Sequence, residues 1–330
     1  MPIVAHPKLP SLSKLKAEGL IVADASSLAK EFHQELRIGL LNLMPDAALQ
    51  ATERQFIRML GSDENILVHV YPTTVESSKR GEEFQDYIAK NYNDISTIYA
   101  SKLDGLIISG ANPSKPDMTE EPFWAPLVEV MDWAMENTNS ILCSCLATHA
   151  LLKYYFNIDR ELRGQKSWGV FPHTVANSSN PLIAGLDDSF MGLHSHFYDL
   201  PLKKIQDTDL EVLAYNSQAG FFLASTTDTK LVLYQGHPEY DAISLLKEYQ
   251  REITNFLSGL RPDYPPLPEN YFSKAAIPVL ENFQKKVLLT KEQSNFPEAR
   301  LSELVKVEWR HPGKILYKNW LNILVKAKEL

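Results

Sequence analysis

Residues 139–156 read NSILCSCLATHALLKYYF, and the way this stretch divides decides the fold. NSILCS (139–144) is a short, mostly apolar run, as expected of a parallel strand covered on both faces. LATHALLKYYF (146–156) follows without a Gly or Pro between them, so the chain passes from strand to helix at Cys145. A strand–turn–helix passage is the setting of a nucleophile elbow, a sharp turn that presents one side chain above the sheet. Small residues two positions either side make room for it, and here they are Cys143 and Ala147. A thiol at a helix N-terminus also feels the positive end of the helix dipole, which favours the thiolate. Read alone, the segment fits a small buried core cysteine at least as well.

Working outward, the same rhythm repeats. LRIGLLNLMP (36–45) is an apolar run closed by Pro and reads as a buried parallel strand. Leu49, Phe56, Ile57 and Leu60 recur at helical spacing, predicting an amphipathic helix over 49–60. NILVHVYP (65–72) is a second strand and 80–91 a polar helix; LDGLIISG (103–110) is a third strand, ending at Gly110 before a Pro-containing loop. PFWAPLVEVMDWAMENT (122–138) is a helix with Pro122 at its start. Strands alternating with helices imply an α/β fold with a doubly wound, mostly parallel sheet.

After residue 164 the pattern turns strand-rich. GVFPHTVA, EVLAYNS, GFFLAST and KLVLYQG suggest antiparallel additions to the main sheet. DAISLLKEYQREITNFL (241–257) and ILYKNWLNILVKAKEL (315–330) are helices, while 274–308 is charged and helix-prone without a chemical motif. The expected organisation is a peripheral N-terminal arm (1–35), a catalytic α/β domain (36–258) and a C-terminal extension packing on the same domain (259–330).

Composition narrows the function. Of 330 residues 44% are hydrophobic and 22% charged, ordinary for a globular protein, and the net charge of −8 argues against nucleic-acid binding. No apolar run of roughly 18 residues is present, so no membrane span is expected. The opening MPIVAHPKLPSLSKL lacks the apolar region of a secretory signal. The two cysteines form a C-x-C whose geometry suits a disulfide poorly, so both read as free thiols of a reducing compartment, the cytoplasm. No G-x-G-x-x-G or P-loop appears.

The second chemical landmark is GHPEYD (236–241), which follows the apolar run KLVLY. In an extended segment residues i and i+2 point the same way, so His237 and Glu239 project together. That pairs a base with an orienting carboxylate, the arrangement that activates a thiol. Alone, the motif equally fits a loop histidine beside a solvated glutamate.

Strand–Cys–helix followed later by strand–His-Pro-Glu resembles the class I glutamine amidotransferase-like folds over residues 36–258. Within them, local stretches resemble the homoserine O-acyltransferases of methionine biosynthesis (homoserine O-succinyltransferases and transacetylases). These are LNLMP (41–45), T-E-x-Q-F (52–56), DGLIISGA (104–111), DSF and HS (188–190, 194–195), GHPEYDA (236–242) and NWLN (319–322).

The resemblance implies Cys145 as nucleophile, His237 as base and Glu239 as the partner of that base. It implies substrate contacts for Lys166, Ser195 and Arg251, although on a helical wheel Arg251 alone would read as solvated. Backbone N–H groups of Leu146 and of Ala111, beside Gly110, are the candidate oxyanion donors. Acyl-CoA is the implied co-substrate, with no permanently bound cofactor; the partners are small molecules and a second copy in a homodimer. Transfer of the acyl group to the homoserine hydroxyl through a cysteine acyl-enzyme is the implied reaction. A serine O-acyltransferase and a class I glutamine amidotransferase are the alternatives.

Three positions depart from the family pattern. Ser114 stands where Gly or Glu is associated with the choice of acyl group; being small and neutral, it favours succinyl over acetyl. His196 replaces an arginine and bears on the acceptor, and Asp46 replaces a lysine. His194 and His196 also read as a metal pair on one strand face, but no further ligand completes a site, so no metal is expected.

Overall fold

The structure is a computed structural model and describes residues 2–5, 9–22, 34–75, 80–176 and 179–329. Its centre is a single sheet. In spatial order the strands are β2 (Ile21–Val22), β1 (Pro2–Val4), β4 (Ile66–Thr73), β3 (Gln34–Leu41), β5 (Gly105–Ile108), β6 (Ser140–Ser144), β11 (Leu231–Tyr234), β10 (Gly220–Thr226), β9 (Leu210–Asn216), β7 (Glu161–Val175) and β8 (Ser189–Asp199). Neighbours from β2 to β11 all run parallel. Neighbours from β11 to β8 all run antiparallel. The doubly wound parallel sheet with antiparallel additions is therefore the observed architecture.

The period-2 alternation of strands sorts the core into two layers. Leu36, Ile38 and Leu40 of β3, Ile107 of β5 and Leu142 of β6 face the helices Asp46–Leu60 and Arg310–Lys328. Leu41, Leu106, Ile108, Ile141 and Cys143 face the helices Trp124–Asn137 and Leu146–Phe156. Most of these residues are wholly buried, and each contributes roughly 2 kcal/mol of apolar burial. A third cluster joins Trp168, Val170 and Leu193 of β7 and β8 to the helix Ser244–Leu257 and to Tyr271, Leu280 and Trp309 beyond it. The helix-prone 274–308 segment supplies the helix Ile277–Thr290.

Two elements differ from the expectation. The strand read over 36–45 ends at Leu41, because the next donors leave the ladder: Leu43 N donates to Ser109 Oγ at 2.8 Å, and Pro45 precedes a helix that opens at Asp46. The arm read as peripheral adds β1 and β2 to the sheet and buries Ile3 and Leu15 completely. Its helix Ser11–Ala17 is tied down where Ser11 donates to the buried Glu53 carboxylate. Among the described residues, no helix is long and apolar enough to cross a membrane.

Candidate active site

Cys145 follows β6, GHPEYD follows β11, and the two strands are neighbours with Ser144 opposite Tyr234. Parallel pairing thus brings two motifs distant in sequence to the carboxyl ends of adjacent strands, where open α/β sheets place their ligands. Cys145 N donates to Tyr234 O at 2.7 Å, locking the turn to β11. The cysteine backbone has φ +50°, a left-handed conformation for a non-glycine residue that costs about 1–3 kcal/mol. Such strain is the signature of an elbow, and its thiol stays partly exposed while Cys143 is wholly buried.

His237 and Glu239 are buried, and His237 Nδ1 meets Glu239 Oε1 at 2.8 Å. Cys145 lies near enough to His237 to help hold its proton, so the three side chains of a Cys–His–Glu relay stand together. Burial opposes the imidazolium, but Glu239 and Cys145 outweigh it and raise the His237 pKa to about 10. Glu239 Oε1 also accepts from Ser144 Oγ at 3.3 Å. The segment is clamped on both sides. His237 N donates to Leu193 O at 2.8 Å, and Asp241 receives Arg54 at 2.6 Å and Arg58 at 2.5 Å. Gly236 permits the approach, since a Cβ there would collide with the Phe222 ring.

Beside this relay lies a carboxylate that the sequence reading missed. Glu248, in the helix Ser244–Leu257, accepts from Lys166 Nζ at 2.8 Å and from Ser195 Oγ at 2.6 Å. Burial works against its charge, but Lys166, Ser195 and Arg251 prevail and hold it below the usual glutamate range. Arg251 is exposed, one turn along the same helix. Tyr240 joins the two groups: its ring stacks on His237 at 4.2 Å, and its hydroxyl donates to Glu248 Oε1 at 3.4 Å. Lys166 and Ser195, two of the residues read as substrate contacts, therefore meet on one largely buried acid near His237, while Arg251 adds only an electrostatic pull.

Leu146 N opens the helix after Cys145, and a Cβ placed on Gly110 would lie 3.9 Å from it and 3.7 Å from Cys145 Cβ. The Gly110–Ala111 segment thus borders the thiol from the side opposite β11. Ser114 is exposed; Glu121 accepts from the N–H groups of Ser114 and Lys115 and lies 3.4 Å from Ser114 Oγ. Asp46 receives Arg80 Nη1 at 3.0 Å and Gly81 N at 2.9 Å.

His196 alternates with Ser195 along β8 and so points away from Glu248. It is buried in a chain of imidazoles, with His194 Nδ1 to His196 Nε2 at 3.0 Å and His194 Nε2 to His173 Nε2 at 2.9 Å. The outer nitrogens bond Tyr198 O and Phe171 O. Burial pushes His173 down to about 4 and His196 down to about 3. Both nitrogens of His194 are engaged by other rings, and among the described residues no group of three candidate ligands is arranged for a metal.

The family described as homoserine O-succinyltransferase matches residues 2–329. A homoserine O-succinyltransferase from Methylobacter tundripaludum is 45% identical over 327 residues, 97% of this chain and 92% of that protein. A homoserine O-succinyltransferase from Methylococcus capsulatus is 42% identical with the same coverage. Among solved structures, a protein described as a GMP synthase subunit, from Thermoplasma acidophilum, aligns over 90% of this chain and 98% of its own. Its identity is 14% and its TM-score 0.50. That likeness bears on the fold alone.

Proposed function

Because this chain belongs to the homoserine O-succinyltransferase family, we infer that it is an acyltransferase of methionine biosynthesis that moves an acyl group from acyl-CoA to the L-homoserine hydroxyl through Cys145. The observation that carries the inference is the Cys145–His237–Glu239 relay standing next to the Glu248–Arg251 pair. These last two residues carry opposite charges one helical turn apart, matching the ammonium and carboxylate of a free amino acid.

The first half-reaction is thiol exchange. The Cys145 thiolate attacks the thioester carbonyl, a tetrahedral oxyanion forms against the Leu146 and Ala111 N–H groups, and the CoA thiolate leaves with a proton from His237. One thioester replaces another, so the step is nearly balanced in energy. Acylation then changes the base. Cys145 is one of the groups holding the His237 proton. The ring, left neutral when it protonated the CoA thiolate, then stays neutral beside the uncharged thioester and accepts the homoserine hydroxyl proton. The hydroxyl oxygen attacks the acyl-enzyme, Cys145 leaves, and the more stable oxygen ester departs.

The test is a matrix of succinyl-CoA and acetyl-CoA against homoserine and serine, with thiol release as the readout and a glutaminase assay alongside. Thiol release with homoserine supports the reading; ammonia release from glutamine without it would favour the amidotransferase alternative. Succinyl-CoA is the donor favoured by Ser114, which leaves room where a glutamate would repel the succinyl carboxylate. Ser114→Glu should shift the acetyl-to-succinyl ratio of kcat/KM towards acetyl by about tenfold, or about 1.4 kcal/mol. An unchanged ratio would remove residue 114 from donor choice.

Arg251→Ala should spare acyl-enzyme formation and slow transfer to homoserine. Losing a bidentate carboxylate clamp of about 3 kcal/mol lowers the second half-reaction by about a hundredfold. Stopped-flow thiol release separates the two steps, and equal loss in both would give the arginine a structural or donor-side role.

A further inference from the structure

Behind the relay, three buried polar atoms form no hydrogen bond among the described residues: Glu239 Oε2, Tyr234 OH and Tyr317 OH. Glu239 Oε1 is committed to His237 and Ser144, so Oε2 is the oxygen facing away from the chemistry. Tyr234 ends β11, Tyr317 comes from the helix Arg310–Lys328, and their rings stack at 6.1 Å with planes 15° apart. Burial first, and then the Glu239 carboxylate, pushes both phenols well above the usual tyrosine range. Both are therefore neutral hydroxyl donors at any working pH, and both lie close enough to feel that carboxylate.

The same helix meets the catalytic segment at intervals of four residues. Trp309 Nε1 donates to Tyr240 O at 3.1 Å. Gly313 lies under Pro238, where a Cβ would stand 3.0 Å from the Pro238 carbonyl oxygen. Tyr317 comes four residues later, about one helical turn on, so it shares the helix face that Gly313 turns to Pro238 and stacks there on Tyr234.

Three orphaned buried groups are costly together, at about 1–3 kcal/mol each. A single buried water with two to four polar partners relieves all of them. We propose that one water accepts from Tyr234 OH and Tyr317 OH and donates to Glu239 Oε2, so that the two tyrosines act through it as positioning residues for the catalytic carboxylate. The proposal rests on the triad reading of Glu239. With Oε2 anchored, Oε1 is held on His237 Nδ1, and the imidazolium that pairs with the thiolate is favoured. The ionisable groups facing His237 are Glu239 and Cys145, with Tyr240 stacked on the ring and His194 and His196 behind it on β8.

Tyr317→Phe removes one hydroxyl and keeps the stacked ring. It should lower kcat about tenfold with KM values within about twofold, and move the alkaline limb of kcat/KM to lower pH because His237 loses support for its proton. Tyr234→Phe should do the same, and the double variant should be no slower than about the slower single one, since all three lose one shared water. In a Glu239→Gln background Tyr317→Phe should have no further effect. A crystal structure should place one water within hydrogen-bond distance of the three oxygens. A native rate and pH profile in Tyr317→Phe, or an equal loss in the Glu239→Gln background, would overturn the proposal. If Glu239→Gln itself is as fast as the native protein, the triad reading fails; if it is slow while Tyr317→Phe is native, only the water-mediated positioning fails.

Discussion

Cys145→Ser is expected to abolish the covalent intermediate: the native protein gains one acyl group after mixing with acyl-CoA, and the variant gains none. Of the two cysteines only Cys145 is partly exposed, and it lies near enough to His237 to help hold the imidazole proton. A serine hydroxyl in the same place is far harder to ionise, so turnover should fall by about four orders of magnitude or more. Cys143 is the internal control. It points into the core layer beside the Leu146–Phe156 helix, and burial pushes its thiol pKa up, away from the reactive thiolate. Cys143→Ala should cost about 1 kcal/mol of stability through lost packing, yet keep the adduct. Intact-mass measurement decides, and an adduct that survives in Cys145→Ser would sink the mechanism.

His237→Ala should lower turnover by about two to four orders of magnitude, the range for a lost general base. Glu239→Gln should cost less, because shape is kept while the charge that favours the imidazolium is lost. The pH profile separates them. Glu239 and Cys145 overcome burial and raise the His237 pKa to about 10, so the alkaline limb of the acylation rate is expected near that value. In Glu239→Gln the foremost opposing charge is gone, the histidine pKa drops, and the same limb appears at lower pH. Burst-phase thiol release across pH measures this. Near-native rates in His237→Ala would mean that another group takes the proton.

The sheet and the nearness of His237 to Glu239 were legible in the sequence because each rests on a local pattern. The apolar runs at 103–110 and 139–144 can bury both faces only inside a parallel sheet; His237 and Glu239 do meet, but through a turn over Pro238 and Glu239 and not the extended segment that alternation assumes. Glu248 was not legible. In SLLKEYQREITNFL it looks like one of several charges on a wet helical face, and its burial comes from Lys166 on β7 and Ser195 on β8, distant in sequence. Tyr317 was hidden for the same reason, since only the crossing of its helix under Pro238 brings it to Glu239. The arm misled because strands of three and two residues are too short to show any period.

The position of the Arg310–Lys328 helix also fixes the order of events during synthesis. Trp320 Nε1 donates to Ser140 Oγ at 2.9 Å beneath the strand that leads to Cys145, and Leu316, Trp320, Leu321 and Leu324 complete one core layer. A ribosome adding about 5–20 residues per second releases β6 many seconds before this helix. Throughout that interval the underside of β3, β5 and β6 keeps only the cover of the helix Asp46–Leu60, so this layer of the core is the last to close.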